Sequence, residues 1–148
     1  MKKLLLFLML AATSLLNAAD SLNWLGSYPD ALVAAKAEHK PVLVDFTGSD
    51  WCIWCVRLDK EIFSKPEFAA WAKDNAVLLK LDFPRNLPQS QTVKQANAEL
   101  ADKYKIQGFP TILILDETGK EKVRTGYKHL SAADYVKHLD SLLEKVIK

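Results

Sequence analysis

The order of periodic segments argues for an α/β domain, a mixed central β-sheet with helices on both of its faces. Three observations carry this. Short apolar, β-branched runs at residues 41–47, 76–81 and 111–115 have the length and character of strands buried on both sides. Stretches with helical spacing separate these runs, and another closes the chain. Helical sequence joins the first two runs, implying a parallel crossover, whereas a tight turn follows the third, implying an antiparallel hairpin.

Taken in chain order, Ser27 with Pro29 behind it reads as the N-cap and first-turn proline of a helix over 28–39. Pro41 to Thr47 is the first buried strand. Gly48-Ser49-Asp50 then turns into a helix over 52–62. Ser64-Lys65-Pro66-Glu67 has the pattern of a capping box and starts a helical stretch through Lys73. Ala76 to Leu81 is the second buried strand. Phe83-Pro84-Arg85-Asn86-Leu87-Pro88 can continue neither a strand nor a helix, so an exposed loop is expected there. Val93, Ala96, Leu100, Ala101 and Tyr104 follow at spacings of three, four, one and three, which makes one apolar helical stripe. Gly108-Phe109-Pro110 breaks into the strand Thr111–Leu115, and Asp116 to Gly119 turns it into an antiparallel partner over 122–125. Ser131-Ala132-Ala133-Asp134 has the form of a cap for a last helix, with a stripe of Val136, Leu139, Leu142, Leu143, Val146 and Ile147.

A chain of 148 residues has room for one domain plus a targeting segment. Met1-Lys2-Lys3 is a basic start, Leu4 to Leu16 is mostly apolar, and Asn17-Ala18-Ala19 offers small residues before Asp20. Residues 1–19 are therefore expected to be a signal peptide and 20–148 the exported domain. An uncleaved N-terminal anchor is the alternative, although the apolar run is shorter than the ~20 residues a spanning helix needs. Removing residues 1–19 takes away Lys2 and Lys3 and no acid, leaving 18 basic and 18 acidic residues. A balanced charge gives no electrostatic reason to expect nucleic acid or an anionic membrane as partner.

The chemistry concentrates in Trp51-Cys52-Ile53-Trp54-Cys55, which holds both cysteines of the chain. A structural disulfide over so short a loop would remove little unfolded-state entropy, so a redox pair is the better reading. At a helix N-terminus, unpaired N–H groups and the helix dipole favour a thiolate on Cys52, and Cys55 lies one turn on, along the same face. A zinc site would need two more ligands, which the neighbourhood does not offer, so neither metal nor any other cofactor is expected. Weak Cu(I) binding by the two thiolates is the remaining metal chemistry. Asp45 sits within an otherwise apolar strand, where a carboxylate is costly unless paired or protonated. The plain reading is that it caps or bonds backbone at a strand end, with Lys80 on a solvated face. His39, His129 and His138 read as surface residues.

Val42-Leu43-Val44-Asp45-Phe46, Trp51-Cys-x-x-Cys55, Lys80-Leu81-Asp82, Gly108-Phe109-Pro110-Thr111 and Gly126 together resemble the thioredoxin superfamily over nearly all of Leu22 to Lys148. A Cys-x-x-Cys after a strand, with Gly-Phe-Pro-Thr about 55 residues on, is a specific combination. Gly48-Ser-Asp-Trp-Cys-Ile-Trp-Cys55 and Asp82-Phe-Pro-Arg85 resemble exported bacterial thioredoxin-like proteins, and are similar to the C-terminal domain of the DsbD electron transporters.

The resemblance implies roles. Cys52 is the nucleophile and more exposed thiol, and Cys55 is the resolving thiol. Asp45 relays a proton to and from Cys55, with Lys80 as its partner. Pro110 follows a cis peptide bond, and the backbone of Phe109 meets an extended client. Trp51 shields the nucleophile. Trp54 has no counterpart in ordinary thioredoxins, and either widens a docking patch or fills the core. The turn before Trp51 is one residue longer than in ordinary thioredoxins. Ile53 and Trp54 supply no charge to a thiolate, and Asp50 would oppose one, so a reductase or electron relay is expected rather than an oxidant. Protein disulfides are the expected substrates, a membrane thiol transporter the expected electron donor, and a monomer the expected state. A non-catalytic client-binding or chaperone-like module and a Cu(I)-handling dithiol protein are the readings from other classes.

Overall fold

The computed structural model describes residues 22–147, and side chains through Glu144. The signal segment expected over residues 1–19 lies outside the described residues. A five-stranded mixed sheet forms the centre: β1 (Trp24–Leu25), β2 (Val42–Thr47), β3 (Val77–Asp82), β4 (Thr111–Leu115) and β5 (Glu121–Thr125), in the order β1-β3-β2-β4-β5. β1 and β2 run parallel to β3, whereas β4 is antiparallel to β2 and to β5. Five α-helices pack around it: α1 (Tyr28–Glu38), α2 (Ile53–Leu58), α3 (Pro66–Asn75), α4 (Gln91–Lys103) and α5 (Ala132–Ile147). No helix among the described residues is long and apolar enough to cross a membrane.

Strand alternation divides the core into two layers. Leu43, Leu78, Ile112 and Ile114 meet Leu58, Ile62, Phe63, Phe68, Trp71, Tyr135 and Leu139 from α2, α3, α5 and the segment after α2. Val42, Val44, Phe46, Leu79, Leu81, Leu113 and Leu115 face the other way, toward Ala31 and Ala35 of α1, Leu100 of α4 and Tyr104 at its C-cap. Both layers are apolar, which explains why β2 and β4 read as near-continuous hydrophobic runs.

Several boundaries differ from the sequence reading. β1 was not expected, because two residues give no periodicity; it holds its place by pairing Trp24 with Leu78 and Leu25 with Leu79. The cysteine helix starts at Ile53, with Cys52 as its extended N-cap, and after Leu58 it widens into a π-helical turn over Asp59–Phe63. The capping box at 64–67 does not form. Lys65 is the N-cap of α3 and makes no side-chain cap bond, while the Ser64 hydroxyl donates to the Lys60 carbonyl, 2.8 Å away, and closes the preceding turn instead. On α4 the expected stripe is offset: Val93 and Ala96 are exposed, and Asn97 is the buried residue. Asn97 is buried because its Nδ2 donates to the Asp82 carbonyl at 2.9 Å, at the end of β3, so a polar side chain anchors the helix. Ser131 does cap α5, accepting from the Asp134 N–H at 3.1 Å. Tyr135, outside the expected stripe, is fully buried and donates to the Gly126 carbonyl.

This topology decides where loops meet. β2 and β3 end at the same edge as parallel neighbours, β4 begins there, and β5 ends there. The turn after β2, the loop after β3, the Gly108–Pro110 turn and the segment after β5 therefore gather at one end. β2 lies between β3 and β4, so the β3 loop approaches from one side of α2 and the β5 segment from the other.

Candidate active site

Cys52 and Cys55 are joined in a disulfide at the start of α2, with Cα atoms 5.2 Å apart. Capping geometry explains the local structure. Cys52 has extended backbone, and its Sγ accepts from the Cys55 N–H at 3.2 Å, as a serine or aspartate would at an ordinary cap. The Gly48 N–H points at the Cys55 Sγ from 3.4 Å. Both cysteines are buried, Cys52 at 6% and Cys55 at 3% exposure. The first is the more accessible, by a smaller margin than the sequence suggests.

Trp51 forms one wall. Its indole Nε1 donates to the Phe83 carbonyl at 2.8 Å, and its ring meets the Phe109 ring edge-on at 5.8 Å. Phe109 also packs on Phe83, with centroids 5.0 Å apart, and the Phe109–Pro110 peptide is cis. Gly48 lets the indole lie against the turn, because a Cβ there would fall within 3 Å of three Trp51 ring atoms. Trp54 is 48% exposed, which rules out the core-filling role. Its ring lies 5.3 Å from that of Tyr127 after β5, and the Tyr127 hydroxyl donates to Glu61. Ile53 and Val56 are exposed beside it, so the cysteines are rimmed by apolar surface.

Asp45 lies on the α2 face of β2, since it alternates with Val44 and Phe46 and shares the side of Leu43. It is 3% exposed, and among the described residues its Oδ1 has no hydrogen-bond partner. Burial pushes its pKa up from 3.8 to about 7; the Lys80 charge opposes the shift, and Asp59 and Asp82 reinforce it. Lys80 is the register neighbour of Asp45 on β3, on the same face. Its ammonium, however, bonds Asp59 Oδ1 at 3.0 Å and lies 4.9 Å from the Trp24 ring centroid, so its direct partner is Asp59.

Asp50 is the residue whose role sequence reasoning missed. Far from standing as an open charge beside Cys52, its carboxylate accepts from the N–H groups of Arg85, Asn86 and Leu87 at 2.9, 2.6 and 2.9 Å. The Arg85 bond leads these in holding its pKa below the usual carboxylate range. Asp82 makes the reciprocal tie, accepting from the Ser49 N–H and hydroxyl at 3.0 and 2.6 Å. An acid in the turn before Trp51 and a proline-rich loop after β3 were the signals available, but nothing in the sequence joins positions 35 to 37 residues apart. Among the described residues, no cluster of histidine, cysteine, aspartate or glutamate could hold a metal ion.

A mixed sheet of this order, carrying a Cys-x-x-Cys disulfide where β2 feeds α2, defines a thioredoxin-like domain. The family model described as a thioredoxin-like domain matches residues 28–143, and the chain belongs to that family. Its cysteine pair makes it a thiol–disulfide oxidoreductase of that fold. It is 38% identical over 127 residues to the disulfide bond reductase DsbH of Chlamydia pneumoniae, covering 86% of this chain and 76% of that protein. A solved structure of a DsbH oxidoreductase superposes with a TM-score of 0.79 at 36% identity, covering 83% of this chain and 85% of the other. The thiol:disulfide interchange protein DsbD of Photorhabdus laumondii is 34% identical over 89 residues. That match spans 60% of this chain but only 14% of DsbD.

Proposed function

We propose that this protein is an exported disulfide reductase or electron relay, in which Cys52 attacks and Cys55 resolves. The observation that carries the reading is the Cys52–Cys55 disulfide at the cap of α2, walled by Trp51 and by the Phe109 side chain of the cis-proline turn. The basic and apolar pattern of residues 1–19 supports export to a periplasmic or secreted location.

The reaction balances as two exchanges. In the reduced protein, the Cys52 thiolate attacks one sulfur of a client disulfide, and the other client sulfur leaves as a thiolate and takes a proton. Cys55 then loses its proton, attacks the Cys52 Sγ and expels the second client thiol. The client gains two electrons and two protons, and the protein is left as the disulfide. A dithiol donor, supplied by a membrane thiol transporter, reverses the last state by the same exchange. Asp45 is the proton carrier for Cys55: it lies on the α2 face of β2, its Oδ1 is unpartnered among the described residues, and its pKa of about 7 lets it take and release a proton near neutrality. Lys80 tunes that carboxyl through its charge. Trp51, Trp54, Phe109 and Pro110 form the client-facing surface.

A Cys55→Ser variant tests the reading. Incubated with a disulfide-bonded client, it should accumulate a covalent complex through Cys52 that dithiothreitol dissolves and that Cys52→Ser abolishes. Capture of the client without any such covalent complex would instead mark a binding module whose thiols do no chemistry.

A further inference from the structure

Two arginines lie on the two tryptophans that bracket Cys52. The Arg85 guanidinium carbon sits 3.7 Å from the centroid of Trp51, and that of Arg57 sits 5.2 Å from Trp54. Both arginines are exposed. They arrive from different elements, Arg85 from the loop after β3 and Arg57 from within α2. Trp51 faces that β3 loop, and Trp54 faces Tyr127 after β5, so the two stacks stand on either side of the disulfide.

Stacking occupies the faces of a guanidinium and leaves its N–H donors in the plane, free to take a carboxylate in bidentate fashion. Neither guanidinium is ion-paired among the described residues, and the one side-chain interaction of Arg57 beyond the Trp54 ring that bears on its donors is with the neutral Tyr127 hydroxyl. The acids around them are engaged elsewhere: Asp50 by three backbone N–H groups, Glu61 by the Tyr127 hydroxyl, and Asp59 by Lys80. Asp50, the residue next to Trp51, thereby fixes the segment that carries Arg85. The cation is held in place before any client arrives, which lowers the ordering cost of using it.

We infer that Arg57 and Arg85 are specificity-determining residues that select client segments carrying acidic side chains beside their disulfide. The inference rests on the reductase reading above and adds to it the charge of the preferred client. The test is single-turnover reduction, followed by tryptophan fluorescence in stopped flow. The pre-reduced protein is mixed with three peptides of equal length, each closed by an internal disulfide and flanked by glutamates, glutamines or lysines. At low salt the glutamate peptide should react about fivefold to tenfold faster than the lysine peptide, the scale of two exposed ion pairs. The ratio should fall toward one in high salt. The double variant Arg57→Glu with Arg85→Glu should invert it. Equal rates for the three peptides, or a faster lysine peptide, would overturn the selectivity while leaving the reductase intact. If the fully reduced protein reduces none of them, the reductase reading itself falls.

Discussion

Asp45 leaves the unfolded chain with an ordinary carboxyl pKa near 3.8 and enters a site where burial raises it to about 7. Between these values the folded protein keeps a proton that the unfolded chain has released. Folding stability therefore falls as pH rises through that window, with no penalty below about 4 and the full penalty above about 7, on the order of 4 kcal/mol. Asp45→Asn removes the ionisable group. Urea unfolding of the oxidised protein should show the variant more stable by about 2–4 kcal/mol at pH 8 and close to the parent at pH 4. A difference of the same size at both pH values would mean that packing, not ionisation, governs the site. A lone acid in an apolar strand was enough to single out Asp45 from the sequence. The true bonding of Lys80 was not, because Asp59 reaches it only once α2 continues into its π-helical turn.

At the level of elements, the active-site end is held by cross-ties between the turn after β2 and the loop after β3. Asp50 binds three successive amides of that loop, and Asp82 binds two groups of Ser49. Asp50→Ala should selectively increase the hydrogen-exchange rates of the Arg85, Asn86 and Leu87 amides and leave the β2 and β4 amides protected. Because the folded pKa of Asp50 is depressed, the protection in the parent is present above the ordinary carboxyl range and is lost as pH falls through the lower, folded value. Unchanged exchange at these three amides would show that the proline-rich sequence alone orders the loop. Elements with strong periodicity were legible beforehand: β2, β4, α1 and α5 fall within a residue or two of their expected limits. Those fixed by long-range bonds were not. The offset face of α4 depends on Asn97 reaching Asp82, and the failed capping box depends on Ser64 turning back to Lys60.

For the molecule as a whole, strand order brings together residues that the sequence keeps apart. Cys52, Phe83, Arg85, Phe109 and Tyr127 share one end because β2, β3, β4 and β5 all present a terminus there. The sequence motifs identified the thiols and the proline turn, since each carries its signature locally. The Arg85 stack on Trp51 and the engaged Asp50 emerge only when the loops meet, whereas Arg57 and Trp54 are neighbours one turn apart on α2. Within this arrangement the Cys52 Sγ accepts the Cys55 N–H, and no side chain between the cysteines offers a charge to stabilise a thiolate. A modestly stabilised thiolate gives a reducing couple. Equilibration of the Cys52–Cys55 pair against glutathione measures this directly. A midpoint near thioredoxin's, about −270 mV, is predicted; one near about −120 mV, where strong disulfide oxidants lie, would contradict the assignment as a reductase.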